Sequence, residues 1–133
     1  MAKFAISFTG KSLAMTTEQI AKRLAELCSQ GQFETAQREL FADDAVSIEA
    51  FETPDFPKET KGLEAIIAKG HHFNSMVEEM HGGTVSEPII AGNSFALMMS
   101  MDMTMKGRER GNMSELCLYQ VKDGKIVSES FHM

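Results

Sequence analysis

"NMSELCLYQVKDGKIVSESFHM", residues 112–133, decides the fold. Two runs that read as strands stand on either side of Asp123-Gly124. An Asp-Gly pair between two such runs is a strong hairpin signal, because both turn residues tolerate positive φ. Working upstream, "SFALMMSMDMTM" (94–105) alternates, with "GN" (92–93) before it and the polar turn "KGRER" (106–110) after it. "TVSEPIIA" (84–91) reads as the first strand of this series, and Pro88 marks an edge or a bulge there. The C-terminal half is therefore an antiparallel meander.

The pattern changes period in the first half. Thr16 and Gln19 make a capping box. Ile20, Leu24, Leu27 and Cys28 follow at helical spacing, and Gly31 ends that helix. A second, short helix carries Phe33, Ala36, Leu40 and Phe41. "DDAVSIEAF" (43–51) reads as a strand, and "ETPDFPKET" (52–60) as a loop, since two prolines interrupt any ladder. Gly62 opens a third helix with Leu63, Ile66, Ile67 and Gly70 on one face; by "HGG" (81–83) the helical pattern has gone. Helices, a strand, a helix and then a meander give an α+β fold with helices on one face of a curved sheet. A chain of 133 residues fits one domain with a core of its own. The reading is an N-terminal extension over 1–15 and a single domain over 16–133. Phe4, Ile6 and Phe8 alternate within the extension, as an edge strand or an arm would.

Composition narrows the function. A net charge of −6 without any basic run disfavours nucleic acid and anionic membrane as partners. No apolar run approaches the roughly 20 residues of a membrane span. Lys11 interrupts the short apolar start too early for a signal peptide, so the cytoplasm is the expected compartment. Cys28 and Cys117 show neither a CxxC nor a zinc spacing and read as reduced core thiols. "TGKS" (9–12) has the end of a phosphate-binding loop without the first glycine or a following helix. His71 and His72 are adjacent and point about 100° apart in a helix, and the four histidines hold no metal-ligand spacing. No cofactor is called for.

"LFADDAV" (40–46), "KGLEAI" (61–66) and "YQVKDGKIVSESF" (119–131) stand in an order and spacing that resembles the nuclear-transport-factor-2-like superfamily, and within it the SnoaL-like proteins. The resemblance covers about 16–133. It implies a cone: a strongly curved, mixed or antiparallel sheet wrapped around three N-terminal helices, with an internal apolar pocket for a small hydrophobic molecule. Dimers through the outer face of the sheet are common among these relatives, and a homodimer is expected here. The fold hosts isomerases, dehydratases, cyclases and many non-enzymes, so it does not name an activity. Beside the ketosteroid isomerases of this superfamily, the catalytic acid falls on Glu49. Their oxyanion-hole tyrosine falls near Leu24, which donates nothing, and their second donor near Cys117, a weak donor. A base is kept and the oxyanion hole is not, which argues against steroid isomerisation as such.

The same resemblance sets the strand phase. Met113, Glu115, Cys117, Tyr119 and Val121 would face the pocket, and Leu116 and Leu118 the outside, where a partner chain would cover them. A plain two-residue turn at Asp123-Gly124 places Tyr119 opposite Ser128, Cys117 opposite Ser130, and Glu115 opposite His132. An acid beside an imidazole could share proton-transfer work. Glu49, Glu115 and His132 are thus the candidate catalytic residues. Leu24, Met99, Met101, Met103, Cys117, Tyr119 and His81 are the candidate pocket wall. Glu49 as a solvated strand residue, Glu115 with His132 as a rim ion pair, and Tyr119 as a packed wall are the bland alternatives. Asp102 alternates to the outer face, unless a one-residue bulge returns it to the pocket.

Overall fold

The computed structural model describes residues 14–133. The "TGKS" stretch and the alternation of Phe4, Ile6 and Phe8 lie outside them. Helix α1 spans Thr17–Ser29. Its capping box is formed: Thr16 Oγ1 accepts from Gln19 N at 3.1 Å, and Gln19 Oε1 accepts from Thr16 N at 2.9 Å. Ile20, Ala21, Leu24, Leu27 and Cys28 form its buried stripe. Helix α2 (Phe33–Leu40) buries Ala36 and Leu40 and runs straight into strand β1, Phe41–Ile48. Helix α3 (Leu63–Met76) begins at Gly62, whose φ of 97° a side chain would resist. Gly62 N donates to Ala45 O at 2.7 Å, which ties the start of α3 to β1.

Among the described residues six further strands join the sheet: β2 (Glu59–Lys61), β3 (Val77–Val85), β4 (Ile89–Ala91), β5 (Ser94–Met105), β6 (Arg110–Lys122) and β7 (Lys125–His132). Their order is β2-β1-β7-β6-β5-β3, with β4 pairing β5 beside that path. Among the described residues only β1 and β7 pair in parallel, so the sheet is mixed. The fold is the expected α+β one, with three helices among the described residues lying against a curved sheet. Two details differ from the sequence reading. The loop after β1 ends in the short strand β2, because Glu59–Lys61 pairs with the end of β1. The single strand expected over 84–91 is two strands: β3 begins directly after α3, and the pairing lapses around Pro88 before β4.

Inward residues of β5 and β6 meet the helices. Phe95 and Tyr119 are cross-strand partners, stacked with centroids 4.9 Å apart. With Leu97, Cys117 and Ile126 they close the core against α1. Asp123 and Gly124 have φ of 53° and 77°, the paired positive values that a two-residue hairpin turn needs. The register beyond that turn is not the plain one. Lys122 pairs with Lys125 and Val121 with Ile126, but Gln120 pairs with Ser128. Val127 is an extra residue, a β-bulge that moves every later residue of β7 one place. Tyr119 then faces Glu129, Cys117 faces Phe131, and Leu116 faces His132. The expected Glu115–His132 pair does not form. Among the described residues no helix is long and apolar enough to cross a membrane.

Candidate functional site

A cavity of about 320 Å³ lies between the helices and the inner face of the sheet. Its walls are largely apolar: Leu24 and Cys28 from α1, Ile66 and Phe73 from α3, Met99 and Met101 from β5, Met113 and Tyr119 from β6, Phe131 from β7. Three carboxylic acids and one amine enter this setting, namely Glu49, Glu115, Glu129 and Lys69.

Glu49 follows β1 directly. Its backbone N–H donates to Lys58 O at 2.8 Å and closes the base of the loop between β1 and β2. Lys69 lies on α3 one helical turn after Ile66, so it shares the inward face. Lys69 Nζ donates to Glu49 Oε2 at 2.5 Å and to Ser47 Oγ at 2.7 Å. Ser47 Oγ in turn donates to Glu129 Oε2 at 2.7 Å. Ser47 and Glu129 are direct partners in the parallel β1–β7 pair, and both are buried. Lys69 and Glu49 keep only 13% and 24% of their side-chain surface exposed, so water screens this pair less than a surface one. Lys69 Nζ also stands 5.5 Å from the centre of the Phe131 ring.

Burial pushes the Glu129 carboxyl up and the Glu49 charge adds to this, against the Ser47 hydrogen bond and the Lys69 charge. Burial likewise pushes Glu115 up to about 7, helped by the charges of Glu49 and Glu129 and opposed by Lys69. A carboxyl at that value takes and gives protons at neutral pH. Burial holds Tyr119 far above the ordinary phenol range, so its hydroxyl stays neutral. The thiol of Cys28 is pushed up to about 12 by burial and is unreactive as a nucleophile.

Of the residues singled out from sequence, Glu49, Glu115, Leu24, Met99, Met101 and Tyr119 line the cavity. Four others do not. His132 faces outward opposite Leu116 and meets Ser130 Oγ at 2.9 Å, because Val127 shifts the register. His81 is the extra residue of a second bulge, between Met80 and Gly82, and its Nε2 meets Thr104 Oγ1 at 2.8 Å on the outer face. Cys117 is fully buried in the core, and Met103 is buried opposite Met80 of β3 without lining the cavity itself. Asp102 is on the outer face, where Arg110 donates to both of its oxygens at 2.9 and 2.7 Å. Lys69, Ser47 and Glu129 were not read from sequence. The helical spacing from Ile66 to Lys69 was a signal for the first; nothing local marks the bulge that brings in the third. Among the described residues no group of His, Cys, Asp and Glu is placed to hold a metal ion.

The family model of the SnoaL-like domain matches residues 15–133. The chain is 40% identical to a proposed SnoaL-like polyketide cyclase from Mesorhizobium loti, with a TM-score of 0.83, covering 90% of this chain and 100% of that one. A nuclear-transport-factor-2-like protein of unknown function from Burkholderia pseudomallei is 14% identical with a TM-score of 0.71, covering 90% and 92% of the two chains. A proposed SnoaL-like polyketide cyclase from Jannaschia is 15% identical with a TM-score of 0.65, covering 93% and 90%. These last two are similar in fold alone. No curated protein matches the chain.

Proposed function

Because the chain belongs to the SnoaL-like domain family, we propose that its cavity takes a small apolar, oxygenated molecule and that Glu115 moves a proton to or from it. One observation carries this reading: an ion pair and a carboxyl near neutrality converge on an otherwise apolar cavity. The chemistry is of the isomerase, cyclase or dehydratase type, with proton abstraction beside a carbonyl as the common step. Glu115 is the acid–base group. Lys69, held by Ser47 and Glu49, offers fixed positive charge to the oxygen on which negative charge develops. It stands in for the hydroxyl donors that Leu24 and Cys117 cannot supply. Glu49 holds Lys69 in place and is the second proton carrier.

Turnover assays with enones, epoxides and small aromatic polyketides test this. Glu115→Gln should lower kcat by about a hundredfold or more, the usual worth of a general acid–base group. Turnover that is unchanged in both Glu115→Gln and Glu49→Gln refutes the mechanism.

The methionine wall favours a second reading, a binding module without chemistry. Met99, Met101 and Met113 adapt to varied shapes better than they fix a reacting atom. Native mass spectrometry of freshly purified protein separates the two: a retained apolar ligand with no turnover favours binding alone.

The outer sheet face supports a homodimer. Met98 pairs with Leu116 and Ala96 with Leu118 across β5 and β6, and Met98, Leu116 and Leu118 are 45%, 43% and 37% exposed. Ser100 and Ser114, whose hydroxyls meet at 2.7 Å, border them. An apolar centre with a hydroxyl border is self-complementary about a two-fold axis. Light scattering should give a dimer that Leu116→Lys disrupts; a monomer of the parent protein at micromolar concentration removes this part.

A further inference from the structure

The amine of Lys69 has a chemical capacity beyond fixed charge, and the inference drawn from it rests on the cavity being a ligand site. We propose that Lys69 forms an imine with the aldehyde or ketone carbonyl of an apolar ligand held in the cavity.

Placement comes first. Lys69 supplies the only amine among the described residues that line the cavity, and its side chain is 13% exposed. The other lysines of the described residues are on the surface. Two hydrogen bonds, to Ser47 Oγ and Glu49 Oε2, fix the nitrogen at the cavity wall. Ser47 is itself immobilised by its bond to the buried Glu129.

Protonation comes second. An amine attacks a carbonyl only through its free electron pair. In an empty cavity, water and Glu49 stabilise the ammonium. An apolar ligand displaces that water, and a charged pair then bears a desolvation cost that a neutral pair does not. A single proton crossing the short Lys69–Glu49 hydrogen bond makes both groups neutral without changing the net charge. Desolvation of a lysine in an apolar pocket is a general route to a nucleophilic amine.

The remaining steps use groups already present. The nitrogen pair forms the C–N bond as the carbonyl π pair moves to oxygen. Glu115, within Coulombic reach of both Lys69 and Glu49, moves the second N–H proton to that oxygen. Glu49 returns its proton to the resulting hydroxyl. The C–O bond breaks, water leaves, and the nitrogen pair closes the C=N bond. The product is a protonated imine facing the Glu49 carboxylate, so the cation of the ion pair is replaced by another cation. Overall, one carbonyl compound and one lysine ammonium give one iminium ion and one water. No oxidant, reductant or metal enters.

Reductive trapping tests this on the full chain at pH 7. The probes are 2-naphthaldehyde, cinnamaldehyde and decanal, each with sodium cyanoborohydride, followed by intact mass and peptide mapping. At least one probe should add once per chain, at Lys69, about tenfold faster than at surface lysines such as Lys22 and Lys61, as expected of a bound, oriented pair. The matching alcohol, which cannot form an imine, should compete. Lys69→Arg keeps the charge and the fold and should lose the adduct while still binding the alcohol. Labelling that follows exposure, with Lys69 behind the surface lysines although the alcohols bind, overturns the imine and leaves the cavity reading standing. Failure of every aldehyde and every alcohol to bind overturns both.

Discussion

Replacing Glu115 by glutamine should make the protein more stable above neutral pH and leave it unchanged in acid. Burial, with the charges of Glu49 and Glu129, raises the Glu115 carboxyl from 4.5 to about 7, against the pull of Lys69. The folded protein therefore holds this proton between those values, where the unfolded chain has released it. The stability that this contributes is fully present below 4.5 and is lost as pH rises through about 7. At 1.36 kcal/mol per unit, the rise corresponds to about 3 kcal/mol, which partial access of water through the cavity mouth reduces to roughly 2. Glutamine resembles the protonated acid at every pH. Urea unfolding of both proteins from pH 4 to 9 should show the parent losing roughly 2 kcal/mol relative to Glu115→Gln across the interval, and then a plateau. In a domain this size, the gap at pH 8.5 amounts to a melting-temperature difference of roughly 6–10 °C in favour of the variant. A difference between the two proteins that stays flat with pH refutes the account, because it means that Glu115 ionises as freely in the fold as in the unfolded chain.

Three further outcomes follow from the same structure. Ser47→Ala takes the donor from the buried Glu129 and an acceptor from Lys69, and should cost about 1–3 kcal/mol in urea unfolding. Thr16→Ala removes one half of the α1 capping box and should cost about 1 kcal/mol by the same measurement, with ligand binding unaffected. Asp102→Asn breaks an exposed ion pair on the far side of the sheet, and both thermal melting and ligand binding should match the parent protein.

The local signals of the chain were strong where a residue answers a backbone demand. The Thr16–Gln19 box, the glycine that opens α3 and the Asp123-Gly124 turn each satisfy a specific geometry, and each element begins or turns where they stand. The phase of β5 and β6 was legible through the resemblance, which puts Met99 and Met101 of β5 and Glu115 and Tyr119 of β6 on the inner face; alternation alone is blurred by the apolar Ala96 and Met98 between Phe95, Leu97 and Met99. Long-range relations were not legible. Glu129 looks outward-facing in any plain count from the turn, and only the pairing of β7 with both β6 and β1 turns it inward. Lys69 is one of several lysines on polar-looking stretches, and its meaning comes from β1 lying beneath α3. A β-bulge carries no required residue type when the extra residue stays at negative φ, so Val127 gives no signal of its own.

That bulge has a consequence for how the site could be rewritten. Side chains of β7 are assigned to the cavity by the bulge, not by their chemistry. Because Val127 is the residue without a partner, deleting it would leave every pair in place, and Glu129 would still stand opposite Tyr119. Keeping Val127 but losing the bulge would instead restore the plain count, turning Ser128, Ser130 and His132 inward and Glu129 out to solvent. The bulge thus lets the hairpin carry one added codon without re-provisioning the cavity. Relatives that lack the extra residue at this point would be expected to keep the same side chains inside.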